Sequence, residues 1–518
     1  MADSNSNKTK PCLVQTAQGF TVSYKEKFLY SKYNPSKAIL NIIENLNIQP
    51  QTIVLCVSPV LPYGLKELSQ KLPADCLMIG CELEEELFDF IKQNQNSAEF
   101  DFSNIKNFSF ITKDQLFNLG PQLIKQNGGS FRRIIRIDFS AAAQLNSNIY
   151  DKVVENVTNA LMTYWANRVT LVKFGRKYCT NFFKNLSILD QTTPIQKYFG
   201  SFEKPILVFG AGESAQDGIT RVKESSRTDY YILCADTALQ PLLASGINPD
   251  GVFIEEAQNV ICKCFIGTQS SDIHIFAGLS SLHSITRYFK PEQISYFTTE
   301  FTQANFLDRF EKAGILPPKN EPFGSVGVTA YYYATLFRKD SSIPVYTYGL
   351  DFAYSAGRTH TKGAMADNAR FMTSSRIKTD GNYGAAFNEP AFKKNEIMYT
   401  TPIMERYAKL MNELLSHCEE HSDVAIHKKT GIDIDGLPRF ARKDIIQKER
   451  ASLLELKSLL TGEKQLPTEE LQSEITNLIQ NREYLYLHFP DGHKFQYTQS
   501  FLNRVRVEVD YYLKVLDQ

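Results

Sequence analysis

The stretch Lys204-Pro-Ile-Leu-Val-Phe-Gly-Ala-Gly-Glu-Ser-Ala215 decides the architecture. Its apolar run Ile206–Phe209 is too short for a helix face and leads directly into Gly210-x-Gly212. It therefore reads as a buried strand that turns sharply at its carboxyl end. Glycines allow a close backbone approach, and a helix opening after Ser214 offers unpaired N–H groups to a phosphate. Ala215 fills the last position of the G-x-G-x-x-G fingerprint, so a plain tight strand–helix turn is the other reading of Gly210, Gly212 and Ser214.

Outward from this stretch, further strands are expected at Tyr231–Ala235, Gly251–Ile254, His274–Ala277 and Val345–Tyr348, with helical segments at Leu239–Ser245 and Val326–Phe337. Strand and helix in alternation predict a doubly wound α/β sheet, whose ligands lie beyond the carboxyl ends of the strands. Three such ends and one helix start carry polar groups. Asp236 and Thr237 could meet a ribose, a base or a metal ion, or Asp236 could simply cap the next helix. Glu255, Glu256 and Gln258 end another strand, and because neighbouring strand residues face opposite ways, at most one of the two acids is expected in a site. Gly324-Ser325 precedes a small-residue helix and suits an anion, although Ser325 is equally a sound N-cap. Asp351, Tyr354 and His360 cluster in one loop, where an exposed His360 could act as a base.

The flanks complete the domain plan. Residues 1–10 read as a disordered tail. Residues 11–149 read as an N-terminal Rossmann-like α/β domain, with strands at Thr52–Val57, Cys76–Cys81 and Arg133–Asp138. Residues 150–200 hold a connecting helix from Tyr150 to Leu186, with Trp165 as an interdomain packing anchor. Residues 201–438 read as the central doubly wound α/β domain that carries these strand ends. Residues 439–518 are helical, with stripes such as Phe501, Val505, Val509 and Tyr512.

At 518 residues the chain exceeds one ordinary core, which favours two or three domains. Its 57 basic and 57 acidic residues cancel, so no global field attracts nucleic acid or anionic lipid. No apolar run approaches the roughly 18–20 residues that span a bilayer. The nine cysteines include no C-x-x-C pair, which argues against a disulfide framework or structural zinc and for a reducing cytoplasm.

In order and spacing, these motifs resemble the motility accessory factor family, bacterial enzymes that transfer nonulosonic (sialic-like) sugars to flagellin. The resemblance rests on Gly210-Ala-Gly-Glu-Ser214, Asp236-Thr-Ala238, Gly246-Ile-Asn-Pro-Asp250, Gly324-Ser-Val326 and Gly349-Leu-Asp-Phe-Ala-Tyr354 with His360. It implies a central domain similar to bacterial sialyltransferases, taking a CMP-activated sugar and inverting the anomeric centre, with no cofactor or metal required. Carried onto this sequence, Gly210–Ser214 and Asp236 would hold the nucleotide, and Gly324 and Ser325 the donor's phosphate or carboxylate. Asp351, Tyr354 and His360 would line the reacting centre, with His360 as the base. The implied partners are flagellin and the nucleotide sugar, and a homo-oligomer stays open. Glu213 stands where the family has proline, so either it points outward or a cation intervenes.

The N-terminal domain resembles a methyltransferase-like Rossmann unit whose glycine loop is replaced by Ser58-Pro-Val-Leu-Pro-Tyr63, which implies recognition or assembly rather than S-adenosylmethionine binding. The central domain is also similar to archaeal 6-hydroxymethylpterin pyrophosphokinases, in which reading Asp236, Glu255 and Glu256 would bind Mg²⁺ and ATP. A third reading is a non-catalytic factor that binds flagellin.

Overall fold

Thr52-Ile-Val-Leu-Cys-Val57, buried along its whole length, is central to the first of two units into which the chain divides, Met1–Thr170 and Leu171–Gln518. The computed structural model describes residues 10–95, 97–103, 105–127, 129–268, 272–302, 305–420 and 439–517. Nearly all of the expected tail, and the segment expected to close the central domain (421–438), lie outside the described residues.

In the first unit an antiparallel meander, β1 (Cys12–Thr16), β2 (Gly19–Tyr24) and β3 (Lys27–Phe28), precedes a parallel sheet. The sheet comprises β4 (Thr52–Val57), β5 (Leu77–Cys81), β6 (Phe108–Ile111) and β7 (Arg133–Asp138) in the order β6-β5-β4-β7. The loop after β4 is filled. Val60 and Leu61 are buried in one cluster with Tyr24, Leu29 and Tyr30. Glu82, at the end of β5, is buried too. Its carboxylate accepts from the Glu84 N–H at 2.9 Å, and loss of water pushes its pKa up to about 7. The protein's own side chains thus occupy the place of a nucleotide cradle.

A helix of 42 residues, Ser147–Ile188, runs through the unit boundary. Two contacts of Trp165 lie within the first unit. Its indole N–H donates to the Phe131 carbonyl at 2.9 Å, and the Arg132 guanidinium lies 4.1 Å from the ring centroid. The indole needs a hydrogen-bond partner once part-buried, and the turn before β7 supplies one.

The second unit is built on seven parallel strands: β8 (Ile206–Phe209), β9 (Tyr231–Ala235), β10 (Gly251–Ile254), β11 (His274–Gly278), β12 (Ile294–Thr299), β13 (Lys319–Asn320) and β14 (Val345–Tyr348). Their order is β13-β12-β11-β10-β9-β8-β14. One face packs on helices Ala215–Glu224 and Asp236–Ala244, the other on Val326–Phe337 and on Met411 of helix Pro402–Glu420. Helices on both faces explain why β8, β9 and β10 are near-continuous apolar runs, since neither side of such a strand meets water.

The carboxyl-terminal region is helical, with Arg439–Thr461, Thr468–Gln480 and Gln499–Leu516. Leu453, Leu456, Ile479, Phe501, Val505, Val509 and Tyr512 are fully buried and share one core with β8–β12. Three short strands, β15 (Tyr354–Ser355), β16 (Phe392–Lys393) and β17 (Met398–Thr400), form an antiparallel sheet in the order β15-β17-β16. Among the described residues no helix is long and apolar enough to cross a membrane.

Candidate functional site

From β8 the chain winds outward through β9, β10, β11, β12 and β13, then returns to add β14 on the other side of β8. Strand order therefore reverses between β8 and β14. Such a switch point is where doubly wound sheets bind their ligands.

The loop Gly210–Ser214 is laced to the loop after β14. Gly210 N–H donates to the Tyr348 carbonyl at 2.7 Å and Gly212 N–H to the Gly349 carbonyl at 2.8 Å. Ser214 N–H donates to the Asp351 carboxylate at 3.0 Å, the Ser214 hydroxyl donates to the same carboxylate, and Gly349 N–H donates back to Ser214 Oγ at 2.7 Å. A Cβ on Gly212 would collide with Asp351, so only glycine permits this approach. Gly349 itself adopts φ 69°, a left-handed turn.

This corrects the expectation that Gly210, Gly212 and Ser214 offer their N–H groups to phosphate: those three donors are spent inside the protein. The N–H groups of Ala211 and Glu213 have no hydrogen-bond partner among the described residues. Asp351 holds this loop in place. Glu213 points away from the cradle, its carboxylate accepting from the Ser355 N–H at 2.7 Å and the Ser355 hydroxyl at 2.6 Å.

Of the acids beyond β9 and β10, Asp236 is the first residue of its helix, with Ala235 in the capping position. Only 4% exposed, it titrates near 7, because burial disfavours its charge and the Glu256 and Glu255 carboxylates add to the penalty. Thr237, exposed, donates to it from backbone and side chain. The two glutamates diverge as the strand pleat requires. Glu255 accepts from the Thr299 hydroxyl at 2.6 Å and the Thr329 hydroxyl at 2.7 Å. Burial raises its pKa. Glu256 accepts from the Gln258 N–H at 2.8 Å, and burial, then the Glu256 charge, raise the pKa of Tyr178. Both Glu255 oxygens accept from threonine hydroxyls, and among the described residues no group of three or more His, Cys, Asp or Glu is disposed to hold a metal ion.

Ser325 stands in the N-cap position of Val326–Phe337 without a side-chain capping bond, so the capping alternative is not realised and its hydroxyl is uncommitted. Gly324 adopts φ 75° beneath the Tyr407 ring. Thr361 N–H donates to the Ala211 carbonyl at 2.8 Å, which sets the neighbouring His360 beside the glycine loop. His360 Nδ1 pairs with the Thr359 hydroxyl at 3.0 Å. Burial, then the Arg370 charge, lower the His360 pKa against an opposing pull from Asp367, so the imidazole is neutral at pH 7. Tyr354 departs from expectation. It is 4% exposed and its hydroxyl donates to the Ala385 carbonyl at 2.5 Å, which makes it a support of the loop.

The structure thus joins Gly210, Gly212, Ser214 and Asp351 in one hydrogen-bonded set, which reaches Thr361, the residue after His360, through the Ala211 carbonyl. Asp236, Glu255 and Glu256 form an acidic group beside it, at the ends of the next two strands. Ser325 stands one helical turn before the Thr329 that binds Glu255. Gln258 contributes its backbone N–H. Ser355, Thr361, Thr299 and Thr329 escaped sequence reasoning because isolated hydroxyl residues carry no motif. Concave spaces elsewhere, of about 480 Å³ near Arg136 and Asp138 and about 460 Å³ near Arg450 and Asp510, lie away from these loops.

Residues 180–357 match the family described as 6-hydroxymethylpterin diphosphokinase MptE-like. The matched region runs from the end of the long helix through Tyr354 and stops just before His360. An uncharacterized protein of Treponema pallidum (strain Nichols) is 29% identical over 559 aligned residues, covering 98% of this chain and 95% of its own length. The fold is similar to that of a Maf glycosyltransferase from Magnetospirillum magneticum AMB-1, with a TM-score of 0.53 and 12% identity over 98% of this chain and 91% of that one. The family match covers the strands and loops of the candidate site, and the likeness to the Maf glycosyltransferase is one of fold.

Proposed function

We propose that the protein is a cytoplasmic inverting glycosyltransferase that moves a nonulosonic (sialic-like) sugar from a CMP-activated donor to Ser or Thr hydroxyls of flagellin, without a cofactor or metal. The observation that carries this reading is the bond from Thr361 N–H to the Ala211 carbonyl, 2.8 Å long, which keeps a neutral histidine next to two unspent backbone donors. His360 Nε2 takes the proton of the acceptor hydroxyl as that oxygen attacks the anomeric carbon. The bond from that carbon to the phosphate oxygen breaks, and CMP leaves with the electron pair. A single displacement inverts the centre. Ala211 and Glu213 N–H groups, with the start of helix Val326–Phe337, stabilise the departing phosphate. A base and leaving-group donors held at fixed positions lower the barrier by preorganisation.

Intact-mass measurement of flagellin from a deletion strain tests this proposal. Loss of one sugar mass per modified site is expected, restored by the wild-type gene and not by His360→Ala. Flagellin of unchanged mass would overturn the assignment. The description of the matched family favours a second reading, a Mg²⁺-dependent diphosphokinase. Calorimetric titration with CMP, and separately with ATP plus Mg²⁺, separates the two. Binding of CMP insensitive to EDTA supports sugar transfer, whereas binding of ATP only with Mg²⁺ supports the kinase.

A further inference from the structure

Between β15 and β17 the chain leaves the sheet edge in an excursion, residues 356–397, closed at its base by the pairs Tyr354–Tyr399 and Ser355–Met398. Its two ends are fastened to the candidate site. Thr361 binds the Ala211 carbonyl, and the Lys394 ammonium donates to the Asp351 carbonyl at 3.3 Å. The interior of the excursion is open to solvent in an unusual way. All residues from Phe371 to Asp380 are exposed. Phe371, Met372, Ile377, Phe387 and Ile397 are 64–92% exposed. Of the 23 exposed large apolar side chains among the described residues, eight fall between positions 371 and 403, a concentration that single scattered surface residues would not produce. The charge is biased as well, with Arg358, Lys362, Arg370, Arg376, Lys378, Lys393 and Lys394 against Asp367, Asp380, Glu389 and Glu396.

We propose that this excursion is the docking surface for the acceptor protein, and that its occupant is a polypeptide presenting apolar side chains flanked by acidic residues. The inference rests on the glycosyltransferase reading above and deepens it. A sugar nucleotide is too small and too polar to use apolar side chains spread over some thirty residues of chain, whereas a protein acceptor must be held while one of its hydroxyls reaches His360. A surface fastened to the catalytic loops at both ends holds it in register. Apolar anchors supply the affinity, and the basic residues favour an acidic partner and speed its approach.

The test uses the full-length protein and purified flagellin of the same bacterium, with affinity read by biolayer interferometry. The triple substitution Phe371→Ser, Ile377→Ser, Phe387→Ser is expected to weaken flagellin binding at least tenfold, with CMP affinity within twofold of the parent. The double reversal Arg376→Glu, Lys378→Glu, on exposed residues that cannot unfold the protein by packing loss, is expected to weaken flagellin binding and flatten its dependence on salt. Unchanged flagellin affinity in both variants overturns the proposal, as does a parent that binds CMP but not flagellin. A parent dimer that the triple variant converts to monomer, with flagellin affinity intact, assigns the surface to a second copy instead and also overturns it. If the parent binds flagellin through this surface but does not bind CMP, the surface stands and the glycosyltransferase reading fails.

Discussion

Asp351 offers the sharpest test of how this site is built, because a catalytic and a positioning role predict opposite pairs of effects. Its carboxylate accepts two hydrogen bonds from Ser214, one from the N–H at 3.0 Å and one from the hydroxyl. Through Ser214 Oγ it also steadies Gly349 N–H. A hydrogen bond to a charged group is worth about 1.5–3 kcal/mol. Asp351 is only partly buried, which argues for the low end of that range for each bond. Asp351→Ala should therefore cost about 3 kcal/mol. With an unfolding entropy near 2.1 cal/mol/K per residue, a unit of about 350 residues would lose about 4 °C in Tm. Asp351→Asn keeps an acceptor for the Ser214 N–H and can donate to its hydroxyl, so it should lose only about 1 kcal/mol. Its transfer rate should fall by no more than about tenfold, a change of about 1.4 kcal/mol in the barrier. Differential scanning fluorimetry and initial rates of sugar transfer check both variants. An Asn variant that melts like the parent yet loses about three orders of magnitude in rate would refute the positioning role and make Asp351 a reacting group. An Ala variant with unchanged Tm would refute the lacing of the two loops.

Further outcomes follow from the same geometry. His360→Gln should lower kcat by about 10²–10⁴-fold with little change in CMP affinity, measured by kinetics and calorimetry. Since burial and Arg370 lower the His360 pKa, the reactive neutral form persists below the usual histidine range, so the acid limb of the rate profile should lie below about pH 6.5. Arg370→Gln should move that limb to higher pH and Asp367→Asn to lower pH. Asp236 carries a pKa raised to about 7 in the fold, so the folded state holds its proton longer than the unfolded chain. Its stability contribution is full below the ordinary aspartate range and is lost as pH rises towards 7, at no more than about 1.4 kcal/mol per pH unit. Asp236→Asn should therefore gain on the parent between pH 4 and 7 in urea unfolding, and an unchanged difference across that range would count against the buried carboxylate. Thr329→Val leaves one Glu255 oxygen without its partner and should cost about 1–3 kcal/mol by the same assay.

The strands around the site were legible wherever burial on both faces forced an unbroken apolar run. Ile206–Phe209, Tyr231–Ala235 and Gly251–Ile254 fall where their composition predicts them, and Val345–Tyr348, a part-exposed edge strand, was legible from its β-branched and aromatic residues instead. By contrast β12, Ile294-Ser-Tyr-Phe-Thr-Thr299, escaped notice because three hydroxyl residues and a tyrosine interrupt its apolar pattern. Those groups are satisfied by tertiary partners. Ser295 donates to the Thr193 carbonyl and Tyr296 to the Asn185 side chain, and neither partner is visible from a window of neighbouring residues. The meander β1–β3 was missed for its short, part-exposed strands.

By itself the sequence determined the strand-and-helix alternation, the glycine loop after β8, and which residue types gather at the strand ends. Each of these is a local matter of apolar period, turn residues and spacing. Only the tertiary structure decided what those residues do. Asp351 meets Ser214 across 137 positions of chain and Glu213 meets Ser355 across 142, so the loop's glycine and serine N–H groups are spent on the protein while those of Ala211 and Glu213 are not. Hydrogen bonds of such separation exist because β14 returns to lie beside β8, and that pairing is a property of the whole sheet, which no stretch of neighbouring residues encodes.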